Sequence, residues 1–381
     1  MMKLFCLLAT FALVACGSGK DLAGVETIGV TYADGQLLGS SIFTGEHRII
    51  PLSAPTADAQ IREVERVMFA RDRIFVMDRR GNKVLAFDGS GRFVASTAPL
   101  MGRGHNEYIR VIDATVDCDS GLVYAFCDAP YCVMVLDLNL RLKRKTALGF
   151  YLSEVAQDSR YVYGLQRSGE GKTGSRIVAI DKRRPESAPR TVVQTEKGVM
   201  GVLTTAGKSL TNFGDTVLAC LPHDNIVYML HDGKEVGAFG VDFGSRNPEG
   251  LLDGLRYDAF LSRNKKSDWI IHNMACSDSL MLFNTNSHYV YVVDLTASSC
   301  RTAMTFVNER FPFSTSLMLP AQGVKGCVVY GLKQDDLTGY VRRRQERGKP
   351  VAQSLVEASA RCDGKGNPVL VVWKLRGSRS N

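Results

Sequence analysis

A strand, a tight turn and a second strand that closes on an acidic residue recur along this chain, and that recurrence leaves few architectures open. The clearest copy is residues 73–96, RIFVMDRRGNKVLAFDGSGRFVAS, in which two apolar runs end at Asp78 and Asp88 and glycine-bearing turns separate three β-rich segments. Glycine turns between such runs are the strongest local signal for a meander. Copies follow at residues 122–145, 161–182, 216–239 and 279–302, and a sixth starts at 326 with its partner strand delayed to 368–375. Equivalent positions are Ile74, Val123, Val162, Val217, Leu280 and Val328, so the interval runs from 39 to 63 residues. Four-stranded propeller blades recur at roughly 40–50 residues and accept insertions in their loops. A lone blade leaves both faces bare, so blades must stack around an axis. Runs such as VMVLD and VYVVD are continuously apolar, as strands covered on both faces require. The expected fold is therefore all-β, a six-bladed β-propeller with a short helical insertion in the last blade. That insertion is expected from Asp335 and Asp336 at one helix start and Pro350 ahead of a second helix, since acidic first turns and an initial proline favour initiation.

The N-terminus sets the compartment. MMKLFCLLATFALVACGSGK places a lysine before an apolar run that is too short to span a bilayer and ends in small residues and Cys16. Leu13 to Cys16, followed by Gly17, resembles the lipobox of bacterial lipoproteins, which implies an export signal at residues 1–15 and a tether at 16–40 lipidated at Cys16, with the propeller expected at 41–381. Acylation of Cys16 would hold the mature protein on a membrane. The expected location is the bacterial cell envelope, lipid-anchored at the outer membrane. Export in turn removes nucleic acid as a partner for the basic clusters at 141–145, 182–184 and 342–344, which account for part of the +8 formal charge. Past Cys16 the chain has eight cysteines, without a CxxC pair, so a structural zinc site is not expected. Cys127 and Cys132 flank a short turn and could face each other across a hairpin at disulfide range. The run QRSGEGKT at 166–173 ends like a phosphate-binding loop, but it lacks the first glycine and leads into a strand, so nucleotide binding is not expected.

On the lipobox-like LVAC, the blade RIFVMDRRGNKVLAFDGSGRF at 73–93, GRGHNEY at 102–108, and Asn367 and Pro368 ahead of VLVVWKL, the chain resembles the NHL-like and TolB-like six-bladed propeller lipoproteins of Gram-negative gut anaerobes. Relatives commonly carry a Gly-Pro-Gly-Glu-Tyr loop after the first blade. Here Glu107 and Tyr108 are kept, while the proline and second glycine are replaced. The resemblance implies an envelope location and leaves the ligand open. Lactonase-like or lyase-like relatives hold calcium or zinc in the central channel.

Two functional classes follow. In the first, the propeller is a binding or interaction module for a glycan, a peptide or an envelope partner. Its ligand-binding candidates are Tyr257, Phe260 and Trp269 in the long connection 244–270, with His105, Glu107 and Tyr108 after the first blade. Tyr131 and Tyr151 are further loop aromatics that could be exposed. In the second, it is a metal-dependent hydrolase or lyase with its site in the channel. Calcium would need several oxygens there, and Asp113, Asp215 and Asn273 are the candidates, with Glu63, Glu65 and Asn212 nearby in the pattern. No cofactor is expected otherwise. The six histidines are scattered singly, and His105 and His272 precede inner strands.

Overall fold

The computed structural model describes residues 24–167, 174–198, 207–308, 311–315 and 318–377. The expected export signal, Cys16 and most of the phosphate-loop-like run lie outside the described residues.

The N-terminal segment forms β1 (Thr27–Thr31), β2 (Gln36–Leu38) and the long β3 (Phe43–Pro51). A first antiparallel unit follows as β4 (Arg66–Ala70), β5 (Arg73–Asp78), β6 (Lys83–Asp88) and β7 (Phe93–Ser96). The second is β8 (Arg110–Asp117), β9 (Leu122–Asp128), β10 (Cys132–Asp137) and β11 (Leu142–Ala147). The third is β12 (Glu154–Gln157), β13 (Tyr161–Arg167), β14 (Ser175–Asp181) and β15 (Arg190–Thr195). The fourth is β16 (Leu210–Phe213), β17 (Thr216–Cys220), β18 (Ile226–His231) and β19 (Lys234–Asp242). Helix α1 (Tyr257–Arg263) leads to the fifth, β20 (His272–Cys276), β21 (Leu280–Asn284), β22 (Val290–Asp294) and β23 (Ser299–Ala303). Next, β24 (Thr305–Asn308) and β25 (Phe311–Thr315) form a small sheet with β2. The last unit runs from β26 (Leu319–Gln322) and β27 (Cys327–Leu332), past helices α2 (Gln334–Glu346) and α3 (Gln353–Ala360), to β28 (Val369–Leu375), and β3 supplies its outer strand. The chain's two ends thus share one sheet, which pairs edges that would otherwise be open.

The innermost strands touch in sequence, β4 to β8, β12, β16, β20, β26 and back to β4, so the units close around an axis. This is a β-propeller, as the repeat pattern predicts. Its stability lies between the units. Met134 joins Met68, Phe75 and Val84 of the first unit, while its neighbours Val133 and Val135 join Val155, Val162 and Val178 of the third. Successive strand residues point to opposite faces, so an uninterrupted apolar run feeds two cores at once. Each fully buried Val, Leu, Ile or Phe side chain contributes roughly 1.5–3 kcal/mol of transfer free energy.

The repeated aspartate is a turn device. Asp88 Oδ1 accepts from the Ser90 and Arg92 amides at 2.9 and 3.1 Å, and Asp137 Oδ1 from the Asn139 and Arg141 amides at 2.9 and 2.9 Å. Asp294 does the same for Thr296 and Ala297. A carboxylate that gathers amides in this way holds the chain in a tight reversal. Strand alternation places these turns, and those between the first and second strands, at one end of the propeller. The other end carries the second-to-third turns and every unit-to-unit connection, and with them α1, α2 and α3.

One boundary differs from the sequence reading. Residues 27–38, expected to be tether, form strands: β1 lies parallel to both β19 and β23 and bridges the fourth and fifth units. A composition rich in small and polar residues disguises a strand whose contribution is mostly backbone pairing. The cysteine pair meets its geometric expectation, since Cys127 and Cys132 are register partners in β9 and β10, and both are free thiols in this structure.

Candidate functional site

The axis is the first place to look, and buried charged and polar side chains line it. Arg66, on β4, donates from Nη2 to Asp113 Oδ2 of β8 at 2.9 Å, and the same oxygen accepts the Val155 amide of β12 at 2.9 Å. Lys208 Nζ, just ahead of β16, lies 3.0 Å from Glu65 Oε1 and 3.7 Å from Asp113 Oδ2. Glu154 accepts the Ser209 amide at 2.5 Å and lies 3.7 Å from Arg167. Asn273 of β20 exchanges backbone and side-chain hydrogen bonds with Lys208 at 2.8 and 3.2 Å. Cations and carboxylates balance across the first four units. Arg66, Asp113, Glu154, Lys208, Ser209, His272, Asn273 and Gln322 are all 5% exposed or less. Stripping one partner from such a buried pair costs about 3–5 kcal/mol.

The metal candidates do not converge. Asp113 is spent on Arg66, Lys208 and two backbone amides. Asp215 sits at the short-turn end, where it accepts from the Ser159 amide at 2.5 Å and neighbours His231. Asn273 belongs to the axial network. Among the described residues no three His, Cys, Asp or Glu side chains gather as a metal-ligand group. His272 donates from Nε2 to the Thr285 carbonyl at 3.0 Å, and burial lowers its pKa to about 4. His223 is likewise lowered to about 4, chiefly by burial, where it stacks on Trp269 with ring centroids 5.4 Å apart.

The long connection folds inward. Phe260 is fully buried and Trp269 nearly so, and with Ile270 they form a small core supported by Leu251, Leu255 and Tyr257. The expectation of an exposed aromatic face at Tyr257, Phe260 and Trp269 is therefore corrected: α1 turns these rings toward one another and His223. Tyr108 is also buried, and its hydroxyl donates to the Asn82 carbonyl at 2.8 Å and pairs with Thr97 at 2.8 Å. Glu107 accepts the Gly104 amide at 2.7 Å, which shapes a loop whose His105 is exposed. These three residues fix a connection rather than share one binding surface. Lys145, from the basic cluster, donates to the His105 and Glu107 carbonyls at 3.0 and 2.5 Å.

What remains open is on the long-connection end of the second unit. Tyr131, at the β9–β10 turn, and Tyr151, leaving β11, are 43% and 36% exposed, with rings 5.7 Å apart and inclined at 57°. Beside them Arg110 Nε donates to both Asp128 oxygens at 3.0 and 2.9 Å, and this hydrogen bonding is the main reason that the guanidinium pKa is raised. Ile109 and Met101 are exposed nearby in sequence at 43% and 41%. Two solvent-facing aromatic rings next to a fixed charged pair offer an apolar face and directional polar groups together. Sequence reasoning named both tyrosines among the loop aromatics but did not rank them. The available signal was their position in two short connections at this end, Tyr131 between β9 and β10 and Tyr151 between β11 and β12.

With this geometry in hand, the chain can be placed among known proteins. It defines a β-propeller closed by strands from both termini. It belongs to the family described as Domain of unknown function (DUF4934), whose model matches residues 26–374 and so takes in β1. No curated protein matches the chain. A protein of Bacteroides fragilis NCTC 9343, described as a candidate exported protein, shares the fold at 14% identity and a TM-score of 0.63, over 92% of this chain and 99% of that one. BamB from Moraxella catarrhalis aligns at 14% identity, 70% and 68% coverage and a TM-score of 0.39. The C-terminal WD40 domain of Sif2 aligns at 12% identity, 74% and 73% coverage and 0.36.

Proposed function

We propose that this chain is an exported six-bladed propeller, anchored in the envelope through Cys16 and related to the NHL-like and TolB-like lipoproteins, that works as a recognition module for glycans. The observation that carries the reading is the exposed pair Tyr131 and Tyr151 beside the Arg110 and Asp128 ion pair. Sugar rings present C–H faces that rest on aromatic rings and hydroxyls that exchange hydrogen bonds with a carboxylate and a guanidinium. The pairing of Arg66 with Asp113 and of Lys208 with Glu65 at the axis supports recognition at the outer end over a reaction in the channel. The signal-like pattern of residues 1–16 supports export, and the shared fold of a candidate exported protein is in keeping with it.

A glycan array probed with the purified protein tests this reading. Binding to a subset of saccharides is expected, weakened roughly tenfold by Tyr131→Ala or Tyr151→Ala, since losing one stacked ring costs about 1–2 kcal/mol. Absence of any glycan binder, or binders indifferent to both substitutions, would overturn it.

A further inference from the structure

Cys127 and Cys132 stand directly opposite each other at the turn end of the β9–β10 hairpin. Residues 128–131 between them carry both Asp128, the partner of Arg110, and Tyr131. Facing residues in an antiparallel pair have Cα atoms about 4.5–5.5 Å apart, inside the range that a disulfide spans. Of the other thiols, Cys118 donates to the Phe69 carbonyl at 3.3 Å, and Cys220 to the Leu221 carbonyl at 3.5 Å. We propose that Cys127 and Cys132 are a disulfide site that staples the base of the recognition turn when the protein meets an oxidant. This staple rests on the recognition reading for its purpose, but its chemistry stands apart from it.

The two sulfurs differ in the way the step requires. The neighbouring Cys127 thiol pulls Cys132 below the ordinary thiol range, while Cys132 and burial push Cys127 up. Cys132 is therefore the attacking thiolate. It attacks one sulfur of an oxidant that is itself a disulfide, either a small thiol compound or an envelope thiol oxidoreductase, and one thiolate leaves. Cys127 then gives up its proton and attacks the Cys132 sulfur, and the second thiolate leaves. The pair loses two electrons and two protons, and the oxidant's disulfide becomes two thiols. Both cysteines are buried, so exchange takes place as the hairpin folds or opens and is slow in the closed protein.

The test is to refold the protein in a buffer of reduced and oxidised glutathione, block free thiols without reduction, and cleave after Tyr131. The expected result is one species in which the fragments bearing Cys127 and Cys132 stay joined, two hydrogens lighter than the separate thiol fragments and parted by reductant. Cys118→Ser should keep this linkage, and Cys132→Ser should lose it and leave Cys127 blocked. Recovery of the wild-type fragments apart with both thiols blocked, or joined to Cys118, would overturn the proposal even if no variant folds. Glycan binding that ignores Tyr131 would sink the recognition reading and leave this linkage untouched.

Discussion

At the scale of single residues, burial decides most of the chemistry. His223 and His272 are neutral when folded because water is excluded around them, and their pKa values fall to about 4 from an ordinary 6.5. The unfolded chain therefore takes up protons that the folded one refuses as pH drops below 6.5. Stability is full above that value, declines between pH 6.5 and about 4, and levels off below. Each histidine should cost about 2 kcal/mol between pH 7 and 5. Urea midpoints at the two pH values check this, and His223→Gln should remove about half of the loss. A midpoint that does not move over this interval would show that these rings are hydrated and protonated in the fold. Neither histidine could be told from its neighbours by sequence, because burial comes from Trp269, Phe260 and Gly207, which approach from other segments. The same holds for Arg66 and Lys208. A cation at the head of an apolar strand reads as a solvated end, and only closure of the ring brings Asp113 and Glu65 to meet it.

At the scale of elements, local rules carried far. The aspartate at a strand end, the glycine turn and the uninterrupted apolar run are properties of contiguous residues, so the meanders could be located, as could the two helices between β27 and β28. Gly91 shows how strict the turn is: it sits at φ +90°, and a Cβ there would come within 2.1 Å of the Pro51 carbonyl oxygen. What local rules missed is β1. It is held by backbone pairing with β19 and β23, and just past its end Arg246 braces Tyr32: the guanidinium lies 5.1 Å from the Tyr32 ring centre and 5.4 Å from that of Tyr289 and bonds Asp268 at 2.6 Å. Asp268 is fully buried, so Arg246→Ala leaves its charge without its cation. The expected loss is about 2–4 kcal/mol, with faster hydrogen exchange concentrated in residues 27–31 and along β19 and β23. Exchange that quickens evenly over the molecule would mean that β1 is not a separable clasp. Phe260 and Trp269 failed as exposed candidates for a related reason: a long connection can fold into a core of its own, and its aromatic residues are what it buries.

At the scale of the whole molecule, closure makes the protein. β3 and β28, from opposite ends of the chain, share a sheet, and the inner strands surround an axis that carries the buried Arg66–Asp113 and Lys208–Glu65 pairs. This arrangement leaves one end to tight reversals and the other to the long connections, which is why recognition is assigned to the second. The sequence could reveal that blades exist, yet not which loop aromatics stay outside, since that depends on which connections fold over. The most direct measurement is hydroxyl-radical footprinting of the full protein with and without the best glycan from the array. The account predicts reduced oxidation at Tyr131 and Tyr151, with the axial residues unchanged. Protection centred on the mouth of the axis, with both tyrosines oxidised as before, would contradict it.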